Sequence, residues 1–376
     1  ELLRQGKSVE DARSGGTSGC VETGAFGKES YILTGYFNLP KVFEITLSNG
    51  VDPVTGENIG VETGKPADFS GFEDLMNAFR LQLKHFINIK LKGNNIIERL
   101  YAQYMPVPFL SVLIDDCIAT GRDYNSGGAR YNTNYIQGVG IGTVTDSLTA
   151  VKYHVFEKKN MGLSQMLALL ETDFKGEEKT RLMLLNKTPK YGNDDDYADS
   201  IMQSVFEAFY REVNGRKNTK GGVYRINMLP TTCHVYFGSV TGATPDGRKA
   251  REPLSEGISP VQGADRHGPT AVLKSAGKMD HVRTGGTLLN QKFTPRILDG
   301  DKGIDNLSHL VRSYFKLGGH HIQFNVIDAQ TLREAQAHPE KHRDLIVRVA
   351  GYSDYFCDLG RTLQDEIIAR TEHGSF

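Results

Sequence analysis

Leu345-Ile-Val-Arg-Val-Ala-Gly-Tyr-Ser-Asp354 is the stretch on which the reading of this chain turns. Its first six residues, through Ala350, have the apolar, β-branched composition of a buried strand. Gly351 ends the run. Ser353 or Asp354 is placed to cap a helix, and Tyr355, Phe356, Leu359, Leu363, Ile367 and Ile368 follow at helical spacing. The pattern predicts strand, glycine turn and helix, with Gly351 between two packed elements. A lone glycine in such a turn ordinarily answers a need for positive φ or close backbone approach. The turn alone therefore assigns no chemistry.

Working outward, the 376 residues are enough for a substantial core, and the formal net charge of −1 gives no basic surplus for nucleic acid and no acidic arm. No run reaches the roughly 18 consecutive apolar residues of a membrane-spanning helix. The opening Glu1-Leu-Leu-Arg has no initiating methionine, lacks the features of a signal peptide and leads into a glycine-rich loop. It reads as a piece of something longer. The four cysteines, Cys20, Cys117, Cys233 and Cys357, are far apart and form no metal-binding spacing. Reduced thiols in a cytoplasmic protein are the expectation.

Between the ends, helical periodicity is plain from Gly71, with Phe72, Leu75, Met76, Phe79, Leu83, Phe86 and Ile87 on one face, and again from about Ala198 to Val213. Both stripes read as core. The short apolar runs Phe109–Ile114, Tyr135–Ile141, His234–Phe237 and His321–Ile327 read as buried strands. The sum is an α/β chain. The long loop 242–269 is of the kind that is functional or packed across another element. Gly138-Val-Gly-Ile-Gly142 lacks the spacing of a nucleotide loop and reads as packing. His320-His321 shows no third ligand, and Asp194-Asp-Asp196 reads as a solvated turn, not a calcium loop.

Three blocks change the odds for Gly351. Arg348-Val-Ala-Gly-Tyr352 matches the RVxGY motif of glycyl radical enzymes, and Gly19-Cys20-Val21-Glu22 matches the cysteine loop of that family's eliminating branch. Pro245 to Gly263 is similar to a third family block. The radical chemistry explains the residue types. A backbone carbon radical is stabilised by donation from its amide nitrogen and withdrawal by its carbonyl. That requires a planar α-carbon, which a side chain would crowd. A thiol of comparable bond strength then carries the radical to substrate.

The resemblance runs along most of the chain and is closest to the hydroxyproline-dehydrating members, in residues 20–50, 130–148, 188–202, 225–243 and 285–298. Pyruvate formate-lyase fits less well, because its site has two adjacent cysteines and Val21 follows Cys20 here. The resemblance implies the second half of a ten-stranded glycyl radical enzyme barrel surrounded by helices. Residues 1–255 would be barrel with the cysteine loop, and residues 256–376 the glycyl radical domain. Gly351 would store the radical and Cys20 would become the thiyl. Glu22, on the same side of an extended loop as Cys20, would move protons. Tyr36 and Thr231 would line the substrate pocket.

The implied reaction is dehydration of trans-4-hydroxy-L-proline to pyrroline-5-carboxylate, with no bound small-molecule cofactor or metal. An S-adenosylmethionine-dependent iron–sulfur activating enzyme would install the radical. A homodimer is the family's habit, and the N-terminal half of the enzyme would complete the pocket, so this chain is expected to be inactive alone. The competing readings are an eliminase acting on another diol, amino alcohol or sulfonate, a glycyl-radical repair module, and a homologue without a radical. The intact cysteine loop argues against the last two.

Overall fold

Parallel strands organise the computed structural model, which describes residues 1–376. Strands β1 (Gly15–Thr17) and β2 (Thr23–Ala25) form an antiparallel hairpin, and β3 (Glu29–Asn38), β4 (Tyr131–Val139) and β5 (Val223–Asn227) then lie parallel in that order. Strands β6 (Asn290–Phe293) and β7 (Gln323–Val326) pair in parallel. A second hairpin joins β8 (Ile346–Arg348) to β9 (Ser353–Tyr355), and the short β10 (Glu372–His373) returns beside β6. The chain entering β6 continues the first sheet: Gly285 N donates to Ile226 O at 2.9 Å, and Met228 N donates to Gly286 O at 2.9 Å. One file of parallel strands thus runs from β3 to β7, with helices in the crossovers, as parallel pairing requires.

The crossover helices form where the sequence patterns them. Asn38 caps the helix Leu39–Leu47 by accepting from Lys41 N, with Pro40 in its first turn. The helix Phe72–Tyr104 buries Leu75, Met76, Phe79, Leu83 and Ile87 almost completely. Asp195 caps the helix Asp196–Val213 by accepting from Tyr197 N. The aspartate run 194–196 is therefore a helix start, tied to Lys274 and Lys278 by ion pairs. These stripes and the strands build a main core of 45 buried residues, where truncating a residue such as Phe79 costs about 3–5 kcal/mol. A second core of six residues, Leu332, Ala335, Val347, Val349, Phe356 and Ile367, underlies the C-terminal segment.

Three local expectations are corrected. Phe109–Ile114 is no strand, since the helix Pro108–Ser111 begins on a proline and leaves Phe109 exposed. His234–Phe237 lies inside the helix Cys233–Ser239. Runs this short fit a strand or a helix turn equally well by periodicity. At the tail, Ser353-Asp-Tyr355 turns back to pair with β8, and the helix begins only at Arg361, after Gly360. The order is strand, glycine turn, strand, helix. By contrast, the loop 242–269 is packed across other elements: Thr143 and Ser255 exchange hydrogen bonds at 2.8 and 3.0 Å, and Ile258 N donates to Leu288 O at 2.8 Å.

Candidate active site

The two hairpins bring Cys20 and Gly351 together. Cys20 lies at the tip of the β1–β2 hairpin, whose loop closes where Ser18 N donates to Glu22 O at 2.8 Å. Val21, next to it, is fully buried with Leu229, Leu288 and Ala350, and Cys20 packs against that cluster. The loop approaches the strand run at Gly286, where an added β-carbon would strike the Val21 carbonyl.

Gly351 occupies the turn between β8 and β9 with φ +83°, in the left-handed region that favours glycine. A β-carbon there would lie 2.6 Å from both Cβ and Sγ of Cys20. One bond length back, Gly351 Cα is within about 4 Å of that sulfur. Residues 331 positions apart in the sequence are thus in van der Waals contact. Both polar groups of Gly351 are held: its N–H donates to Gln323 Oε1 at 3.2 Å, and its carbonyl accepts from Arg348 Nη2 at 3.1 Å. Arg370 and Asn290 donate to the Val349 carbonyl at 2.9 and 3.3 Å, fixing the turn from below.

Glu22 is 7 % exposed and contacts Cys20 differently from the extended-loop expectation. The loop bends, and Glu22 Oε2 accepts from Cys20 N at 3.3 Å, Val21 N at 3.0 Å and the Ser18 hydroxyl at 3.3 Å. Oε1 takes part in none of these bonds. Burial, and then the Glu22 carboxylate, push the Cys20 thiol pKa up, against a smaller opposing pull from Arg348. The sulfur therefore keeps its hydrogen at neutral pH.

Tyr36 and Thr231 meet through a 2.9 Å hydrogen bond between their hydroxyls. Both stand on irregular backbone. The register of β3 against β4 shifts between Leu33 and Tyr36, which re-aims Tyr36, and Thr231 has φ +54° in the turn after β5. Burial raises the Tyr36 pKa, the Thr231 hydrogen bond opposes this, and the nearby Cys233, Cys20 and Glu22 raise it further. A cleft of about 290 Å³ lies against Glu22 and is lined also by Ser18, Phe26, Glu29 and Tyr31.

Several residues of this arrangement gave no sequence signal of their own. Tyr31 stacks on Tyr135 at 3.9 Å, donates to Gly285 O at 3.0 Å and accepts from Asn227 Nδ2 at 2.7 Å, bracing the floor beneath the cysteine loop. Gln323 and Asn325 of β7 hold the glycine turn. Their i, i+2 spacing, which puts two polar residues on one face of a buried strand, is the signal that could have marked them. His320, weighed as a metal candidate, contacts the cysteine loop instead, with Nε2 2.8 Å from Val21 O.

A thiol at the tip of one antiparallel hairpin is thus packed on a left-handed glycine in the turn of another. The chain belongs to the pyruvate formate lyase-like family, whose profile matches residues 1–238, and a glycine radical profile follows over residues 254–357. It is 60% identical over 372 residues to trans-4-hydroxy-L-proline dehydratase of Clostridioides difficile, covering 99% of this chain and 47% of that protein. The crystal structure of that organism's hydroxyproline dehydratase, with trans-4-hydroxy-L-proline bound, superposes with a TM-score of 0.97, again over 99% of this chain and 47% of the other. The glycerol-bound B12-independent glycerol dehydratase of Clostridium butyricum matches at TM-score 0.95 and 43% identity, over 99% and 47%. The chain spans about half the length of the curated relatives it matches.

Proposed function

We propose that the whole protein removes water from trans-4-hydroxy-L-proline by radical chemistry, with Gly351 as the storage residue and Cys20 as the residue that attacks substrate. The contact between Gly351 and Cys20 Sγ is the observation that carries this reading. The 60% identity to a dehydratase of that substrate supports the choice of substrate.

In this proposal Cys20 gives its hydrogen to Gly351 and then takes a hydrogen from the ring carbon beside the substrate nitrogen. The nitrogen stabilises the carbon radical, and the hydroxyl on the adjacent carbon is placed to leave. Glu22, anchored through Oε2, takes a proton from the substrate ammonium on its other oxygen and passes it to the departing hydroxyl, which leaves as water. Cys20 then returns a hydrogen to the carbon that lost the hydroxyl, leaving the protonated imine, which gives up its proton to solvent as pyrroline-5-carboxylate. One hydrogen atom is removed and one returned, so the net change is the loss of one water. Tyr36 and Thr231, joined by their hydrogen bond, form a polar wall for the substrate.

An S-adenosylmethionine-dependent iron–sulfur activating enzyme installs the radical, in an anaerobic cytoplasm, on a protein that pairs as a homodimer. No helix of the chain is long and apolar enough to cross a membrane. The full-length protein, activated without oxygen and offered trans-4-hydroxy-L-proline, should release pyrroline-5-carboxylate in many turnovers. A glycyl signal with no product from this substrate, but with product from a diol or a hydroxylated sulfonate, would replace the substrate and keep the chemistry.

A further inference from the structure

His320 has no part in the steps above, yet it is one of the most constrained side chains around the site. It lies between the helix Gly300–Lys316 and β7, with its side chain 10% exposed. Nε2 is 2.8 Å from Val21 O, in the cysteine loop, and Nδ1 is 3.0 Å from Glu1 Oε2. The Val21 carbonyl only accepts, so Nε2 donates to it, and the Thr23 hydroxyl lies 3.4 Å from the same nitrogen. Burial draws its pKa down, but the Glu1 carboxylate and the Val21 carbonyl outweigh it and leave the pKa raised.

Three residues on, Gln323 holds the other half of the radical pair. Its Oε1 accepts from Gly351 N at 3.2 Å and from Arg348 Nε at 3.0 Å, while its Nε2 donates to Asn290 Oδ1. The amide is thereby locked in one orientation. One short run grips the cysteine loop at His320 and the glycine turn at Gln323, roughly 10 Å apart along extended chain.

We propose that His320 and Gln323 are positioning residues that set the gap between Cys20 Sγ and Gly351 Cα, and with it the rate of hydrogen transfer across that gap. The inference rests on the radical reading above. In the transfer the S–H bond of Cys20 breaks, a C–H bond forms at Gly351, and the unpaired electron passes to sulfur, with no change of charge on either residue. A small displacement of either loop lengthens the path of the moving hydrogen and slows the step steeply. His320 touches only the cysteine side, so its loss leaves the hydrogen bonds around Gly351 in place. Radical storage and radical use should then separate.

The full-length protein, activated anaerobically, tests this with two readings: unpaired spins per chain by electron paramagnetic resonance, and product formed per spin. His320→Phe should keep a spin yield within about twofold of the parent while kcat per spin falls about ten- to hundredfold and KM hardly moves. His320→Gln, whose amide still donates to the Val21 carbonyl, should recover most of that loss. In unactivated protein, hydrogen exchange should quicken in residues 18–23 of His320→Phe and not in residues 346–355. Gln323→Met should show the reverse pattern and a similar fall per spin, so a failure of one variant to fold leaves the other to decide.

Unchanged kcat per spin, unchanged exchange in the loop each residue grips, or a loss that His320→Gln does not recover overturns the proposal. A parent protein that yields no glycyl signal removes the radical reading, and this inference falls with it. The exchange result in unactivated protein tells that case from a failure of the clamp alone.

Discussion

A β-carbon at Gly351 meets two obstacles, a backbone φ of +83° and the Cys20 side chain 2.6 Å away. Gly351→Ala should lower stability by at least about 1–2 kcal/mol from the left-handed backbone alone, read as a drop in Tm. It should also abolish the glycyl spin signal after activation. At Tyr36 the expectation differs. Tyr36→Phe removes the hydroxyl that bonds Thr231 and that the proposed function turns towards substrate, and should leave the spin yield intact while raising KM for hydroxyproline about tenfold, the loss of one substrate hydrogen bond of ~1.4 kcal/mol. Cys20, Glu22 and Gly351 stood out in the sequence because they fall in motifs that resemble those of glycyl radical enzymes, and each suits the chemical demand proposed for it. Gln323 and His320 did not, because glutamine and histidine serve many purposes and theirs depends on which loops tertiary packing brings within reach.

At the scale of elements, the two long periodic helices and the strands overlapping 135–141 and 321–327 were legible, whereas β3, β5 and β6 carry mixed polar and apolar residues and gave no such run. The runs 109–114 and 234–237 were not legible, because a few apolar residues between turn formers suit either a strand or a helical turn. The tail failed in a more instructive way: Ser353 and Asp354 satisfy the rules for a helix cap, but pairing with β8 claims their backbone first. The helix Ile141–Ala150 carries a further consequence. Its Asp146 is fully buried, with Oδ1 accepting from Tyr191 N at 2.9 Å and Oδ2 unpartnered, and burial pushes its pKa up to about 7. The folded protein therefore keeps a proton that the unfolded chain loses near 3.8, and this residue's contribution to stability falls as pH rises from about 4 to 7. Asp146→Asn has no proton to lose. Its Tm should exceed the parent's clearly at pH 8 and by little at pH 4.5, and an equal difference at both would remove Asp146 from the pH dependence.

Over the whole molecule, the C-terminal segment has its own six-residue core and meets the main body through polar contacts and two small apolar ones, Ala350 on Val21, Leu229 and Leu288, and Phe376 on Phe293. Lys292 donates to the Ile367 and Ile368 carbonyls at 3.4 and 2.8 Å, Gln262 reaches Glu366 at 3.0 Å, and Asn290 donates to the Val349 carbonyl at 3.3 Å. On the reading proposed above, a segment that presents Gly351 to an activating enzyme and then returns it beside Cys20 suits an interface with few apolar contacts and a core of its own. Residues 346–355 should therefore exchange amide hydrogens faster than β4, and equal protection would argue for a fixed tail. The account as a whole stands on a division of labour between two residues that touch. Its most direct test is Cys20→Ala in the full-length protein, activated anaerobically beside the parent, with spins and pyrroline-5-carboxylate counted in the same samples. We expect the variant to carry a glycyl signal comparable to the parent's and to form no product. Product formation by Cys20→Ala at the parent's rate per spin would contradict the assignment of Cys20 as the residue that attacks substrate.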